Sequence, residues 1–151
     1  DWQAVEHRAT QENWSYAQFL LALAEGEASR RDQARIARAL GEAQLPCGKS
    51  WSNFEFAHVS SVNPAVMMQF AESTGWLQTA SNILIFGPSG TGKTHISTAL
   101  GRSMIELGKW VKFLPATTLV QQLQQAKLQL QLPAFLVKLD KYDLLIVDDL
   151  G

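Results

Sequence analysis

The sequence predicts an α/β fold with a parallel sheet around a phosphate-binding loop, preceded by an α-helical N-terminal region. Three observations carry that expectation. Gly87-Pro88-Ser89-Gly90-Thr91-Gly92-Lys93-Thr94 is a full match to the loop pattern G-x-x-x-x-G-K-[ST]. Asn82-Ile83-Leu84-Ile85-Phe86 before it reads as a short buried strand. Ile96, Ala99, Leu100, Ser103, Met104 and Leu107 after it recur at helical spacing. Further on, Leu144-Leu145-Ile146-Val147-Asp148-Asp149 is an apolar strand ending in two carboxylates. One strand and one helix-like stretch lie between the two, the spacing of a βαβ nucleotide fold.

The elements follow in order. Residues 1–14 are polar and poorly patterned, which predicts a frayed or partial helix. Ser15 and Gln18 make a capping box, so a long helix should follow to about Ala43, ended by Leu45-Pro46. Arg31, Arg35 and Arg38 share one face of it. That face could meet DNA phosphates, or it could be a solvated face paired with Glu27, Asp32 and Glu42. Spacing alone favours the paired face. Residues 46–62 read as loop, with Trp51, Phe54 and Phe56 expected to clamp the segment on the nucleotide domain rather than to stack on bases. Asn63-Pro64 starts a short helix to about Ser73, with Asn63 as N-cap. Gly75, Trp76 and Leu77 then lead to the first strand. Gly108 ends the helix after the loop, and Trp110 to Leu114 form the next strand. Leu119, Leu123, Ala126 and Leu130 predict another helix. Its end is ambiguous, because Leu128 to Leu132 also alternates at strand period. Pro133 breaks the pattern, and Ala134 to Leu139 form a short helical turn. The expected division is residues 1–62, a helical region with its connecting segment, and residues 63–151, the nucleotide domain.

Composition narrows the function. The net charge of −1 gives no global basic field. One cysteine, Cys47, excludes an internal disulfide and suits a reducing compartment, so a cytoplasmic protein is expected. No apolar run is long enough to span a membrane, and no secretory signal is present. His7, His58 and Cys47 do not stand at zinc-ligand spacing. The chain starts without methionine and stops just past the acidic pair, so both ends are expected to be cuts in a longer protein.

The chemistry is that of a nucleoside triphosphate. The glycines let the backbone turn its N–H groups onto phosphate. Gly87, Pro88, Ser89, Gly90, Thr91, Gly92, Lys93 and Thr94 form the cradle, and a strand–loop–helix order puts a helix N-terminus at the anion. Lys93 can reach the β- and γ-phosphates, and the Thr94 hydroxyl can ligate Mg²⁺. Asp148 is the carboxylate expected to hold the Mg²⁺ shell, and Asp149 the base that orients the attacking water. His95, on the first helical turn, could contact phosphate; a packed or capping role is the plainer reading.

The order of these signals closely resembles the IstB-like ATP-binding helpers of insertion-sequence transposition. It runs from an Arg-bearing helix through Leu45-Pro46 and Phe54-Glu55-Phe56 to a short helix ending near Trp76, then GPSGTGKTH, then LLIVDDLG. That family is similar to the DnaC helicase loaders, and both belong to the AAA+ ATPases. The resemblance implies a three-layer P-loop sandwich. It also implies ATP and Mg²⁺ as ligands, contact with double-stranded DNA, self-assembly through the AAA+ module and stimulation of a transposase. Gly87, Gly90, Gly92, Lys93 and Thr94 match its Walker A motif, and Asp148 and Asp149 its Walker B motif. Many AAA+ proteins carry Asp-Glu there, and aspartate at 149 is shorter by one methylene.

The AAA+ strand order is 5-1-4-3-2, and this sequence supplies strands one to three. The strand between the loop strand and the Asp148 strand is absent, with the sensor, arginine finger and lid. Two unpaired edges should result, and the 151-residue chain alone should be marginal. Three other readings stand beside the transposition ATPase: a DnaC-like loader, a non-catalytic nucleotide-binding fragment, and a small-molecule kinase, for which the long Arg-bearing helix and the acidic pair have no use.

Overall fold

A computed structural model describes residues 2–59 and 62–149. Its contacts divide the chain into two compact units, Asp1–Arg38 and Ala39–Gly151. The connecting segment 46–59 therefore packs with the second unit.

The first unit is helical. Helix α1 is Trp2–Gln11, and α2, Tyr16–Ala43, starts here. The frayed or partial helix expected over residues 1–14 is a partial one, ten residues long, closed by an Arg8–Glu12 ion pair of 2.9 Å. The capping box forms as read: the Ser15 N–H donates to Gln18 Oε1 at 2.8 Å, and the Gln18 N–H to Ser15 Oγ at 3.3 Å. Arg31 and Arg30 both pair with Glu27 at 2.8 Å, and Arg35 pairs with Asp32 at 2.9 Å. Arg31 and Arg35 therefore sit in the paired arrangement, one turn from their acids.

In the second unit, helices α3 (Pro64–Glu72), α4 (Gly75–Gln78) and α5 (Lys93–Glu106) precede strand β1 (Val111–Pro115). Helices α6 (Ala116–Leu128) and α7 (Leu132–Leu139) then lead to strand β2 (Leu144–Asp148). The strands pair in parallel, Val111 opposite Leu144 through Pro115 opposite Asp148. A parallel pair needs a long crossover, and α6 and α7 supply it. Asp143 fixes the start of the pair: its carboxylate accepts from the Trp110 N–H at 2.8 Å and from Lys109 Nζ at 3.5 Å.

The core lies where α5 meets the sheet. Ile96, Ala99, Leu100, Met104 and Ile105 of α5 are buried, with Val111, Phe113 and Leu114 of β1 and Ile146 of β2. Gly101 lets the helix approach closely: a Cβ there would stand 2.8 Å from Ile146 Cδ1. Helix α6 packs on both strands and buries Ala126.

One expectation fails. Asn82–Phe86 is not a strand, and it is not buried: Leu84 is 70% and Phe86 86% exposed. The only sheet among the described residues is the β1–β2 pair. An extended run becomes a strand only when a neighbour takes its N–H and C=O groups, and no strand among the described residues pairs with it. Its period survives as alternation, with Ile83 and Ile85 half-buried between exposed neighbours. Trp76 and Leu77, expected as a lead-in, instead form α4, whose Trp76 indole donates to the Phe70 carbonyl at 3.1 Å.

Candidate nucleotide-binding site

The loop Gly87–Gly92 joins the 82–86 run to α5. Gly90 and Gly92 have φ of 80° and 86°, values that L side chains rarely adopt. Gly92 is the N-cap residue of α5, and its carbonyl accepts the Ile96 N–H at 2.9 Å. The Thr91 hydroxyl donates to the Pro88 carbonyl at 2.8 Å and closes the loop on itself. The Lys93 ammonium donates to the carbonyls of Gly87 and Pro88, both at 2.8 Å. A cation is thus held across the loop, beside the first turn of a fourteen-residue helix whose N-terminal dipole favours anions.

The second half of the site arrives from β2. The Thr94 hydroxyl donates to Asp148 Oδ2 at 2.7 Å, across 54 residues of sequence. Asp148 ends the strand that packs against α5, so the fold itself delivers the carboxylate to the first turn of the helix. Asp149 follows with φ of 57° and is exposed. The two aspartates therefore differ: one is tied to the loop helix, the other stands at the strand end facing solvent. Hydroxyl and carboxylate oxygens are the donors a Mg²⁺ ion takes, and that ion uses few protein ligands beside water and phosphate oxygens. Among the described residues no cluster of three or more His, Cys, Asp or Glu could hold a metal by itself. Thr94 with Asp148 fits the sparser arrangement.

His95 is placed against the connecting segment. Its Nε2 lies 2.9 Å from the Ser50 carbonyl and 3.1 Å from Asn53 Oδ1. Both partners accept, so Nε2 carries the proton. The aromatic residues clamp this segment on α5, the packing role expected of them. The Trp51 indole donates to Ser103 Oγ at 2.9 Å. Trp51 and Phe56 stack at 6.0 Å, and Phe54 meets Phe56 edge-on at 4.8 Å and His95 at 5.0 Å. Asn53 was not foreseen. Its Oδ1 also accepts from the Ser50 N–H at 2.9 Å, making it a hub. No sequence signal marks a contact between residues 53 and 95. Cys47 is exposed and takes no part. No helix among the described residues is long and apolar enough to cross a membrane.

Comparison with known proteins agrees with this geometry. The profile of a family described as "IstB-like ATP binding protein" matches residues 1–151. An insertion sequence ATP-binding protein of Sinorhizobium fredii (strain NBRC 101917 / NGR234) is 46% identical over 150 residues, 99% of this chain and 50% of that protein. One from Geobacillus stearothermophilus, named for insertion sequence IS5376, is 31% identical, covering 99% of this chain and 59% of the relative. One from Pseudomonas aeruginosa, named for IS21, is 28% identical, covering 99% and 56%. The chain thus spans about half the length of the curated relatives it matches. With the loop, the helix behind it and the acidic strand in place, the chain belongs to the IstB-like ATP binding protein family.

Proposed function

We propose that this chain is the nucleotide-holding part of an ATPase that assists insertion-sequence transposition. The observation that carries the reading is the 2.7 Å hydrogen bond from Thr94 to Asp148, which brings both halves of a P-loop site together. Gly87 to Thr94 would cradle the triphosphate with backbone N–H groups, and Lys93 would turn its ammonium from the loop carbonyls to the β- and γ-phosphates. Thr94 and Asp148 would hold Mg²⁺, which when bound neutralises charge building on the phosphates. Asp149, exposed at the strand end, would orient water and take its proton. His95 would support the loop from behind.

In this reading residues 63–151 hold the nucleotide, and residues 1–62 meet DNA or a partner. The AAA+ architecture, self-assembly, duplex DNA and a transposase partner belong to the same proposal. The family and its relatives' names support the ATP and insertion-sequence parts of the reading; these further parts extend it. Binding without turnover is favoured by one feature, the short, exposed Asp149 carboxylate in place of a longer acid.

The test uses the intact protein. Mg²⁺-dependent ATP binding should be lost in Lys93→Ala, and phosphate release should be lost in Asp149→Asn with binding retained. Binding that survives Lys93→Ala overturns the site. Binding without any phosphate release selects the non-catalytic reading.

A further inference from the structure

Gly92 has a second constraint besides its φ of 86°. A Cβ there would stand 2.8 Å from Phe54 Cε2 and 3.5 Å from Phe54 Cζ. The Phe54 ring therefore lies flush against the backbone of the phosphate loop where it turns into α5. Three contacts fix that ring: Phe56 at 4.8 Å, Trp51 at 6.3 Å and the His95 imidazole at 5.0 Å. His95 is itself held by Ser50 and Asn53, and Trp51 by Ser103, about two helical turns along α5. The support thus grips α5 at two places, His95 and Ser103, and presses on the loop at a third.

We infer that Phe54 is a positioning residue for the phosphate loop, with the Ser50–Phe56 segment acting as its brace. The inference rests on the reading of Gly87–Thr94 as a phosphate cradle. Such a loop binds through backbone N–H groups, and their aim is set by a few glycine dihedrals that have little stiffness of their own. A ring against Gly92 removes the freedom of the turn on one side. It thereby lowers the ordering cost that nucleotide binding would otherwise meet. The same contact would carry changes in the loop back to residues 48–56.

The experiment combines nucleotide affinity with amide hydrogen exchange on the intact protein, using Mg²⁺-ATP as ligand. Phe54→Ala should weaken ATP binding by roughly three- to ten-fold, the range expected for loss of an aromatic contact. It should also speed exchange at the Gly90–Thr94 amides while the β1 and β2 amides stay protected. Phe54→Tyr should restore both. Phe54→Ala combined with Gly92→Ala should lose less affinity than the two single changes add up to, because the clash is gone. Unchanged affinity and unchanged loop exchange in Phe54→Ala overturn the inference, as does strict additivity. If Phe54→Ala does not fold, Phe54→Leu decides by the same criteria. If the wild-type protein binds no ATP, the functional reading has failed. The exchange of Gly90–Thr94, which needs no nucleotide, still decides whether Phe54 holds the loop.

Discussion

At the residue scale, the site depends on a few atoms with single functions. The Thr94 hydroxyl is the link between loop and strand, donating to a half-buried carboxylate. Removing the donor and keeping the shape leaves Asp148 without that partner. Thr94→Val should therefore destabilise the nucleotide-free protein by about 1.5–3 kcal/mol, the range for a hydrogen bond to a charged group, and Thr94→Ser should not. Denaturant melts of the two variants make the comparison; equal midpoints would remove the hydrogen bond from the argument. Residues 87–94 and 148–149 were legible because their spacing is local or falls at a strand end. Asn53 and the Phe54–Gly92 contact were not, since they join segments about forty residues apart in sequence. What could be read was weaker: three aromatics in a loop, which need somewhere to pack.

At the scale of elements, caps and turns decided most boundaries, and the sequence carried them well. Asn63 accepts the Ala65 N–H at 2.9 Å with Pro64 in the first turn, as read. The end of α6 was ambiguous because Leu128 to Leu132 alternates like a strand. Local geometry resolves it: Leu130 has φ of 55°, and the Gln131 N–H donates to the Ala126 carbonyl at 2.7 Å. That is a left-handed helix stop occupied by leucine instead of glycine. Leu130 is 90% exposed, so its side chain contributes little packing. Leu130→Gly should stabilise the fold by a few tenths to about 1 kcal/mol, the relief of the left-handed conformation less the added freedom of the unfolded chain. A lower melting midpoint would show that the turn is held by something else. Along α2, the Glu27 carboxyl lies below its ordinary value of 4.5, first through its hydrogen bond from Arg31, then through the charges of Arg30 and Arg31. A lowered carboxylate value adds stability at neutral pH that is lost as pH falls through it. Glu27 should titrate below 4.5 by NMR, and 1 M salt should move it back, since the pair is exposed. A midpoint at or above 4.5 in low salt would free Arg31 from this pairing.

At the scale of the whole molecule, the contrast between the two apolar runs is the deciding feature. Both were read from the same kind of signal, a short apolar stretch beside a site motif. Leu144–Asp148 became a strand because β1 lies beside it, α5 and α6 pack on the pair, and Ile146 is buried. Asn82–Phe86 is apolar as well, but it pairs with no strand among the described residues, and Leu84 and Phe86 stand in solvent. Hydrophobic pattern reports what a segment can bury; pairing is a property of the assembled sheet and cannot be read from the segment alone. Two large exposed side chains next to an unpaired backbone make a template for intermolecular strand pairing. The run also leads directly into the phosphate loop at Gly87. The 151-residue chain expressed by itself should therefore show no sharp cooperative melt above about 45 °C, the lower end for mesophile domains, and should self-associate as concentration rises. Leu84→Lys with Phe86→Lys should suppress that association without raising the melting midpoint, because charge blocks edge pairing but supplies no core. A sharp transition above that temperature from a monomeric chain would mean that β1, β2 and their helices are stable without a third strand. The exposed run would then be a tolerated surface rather than the weak point of the fold.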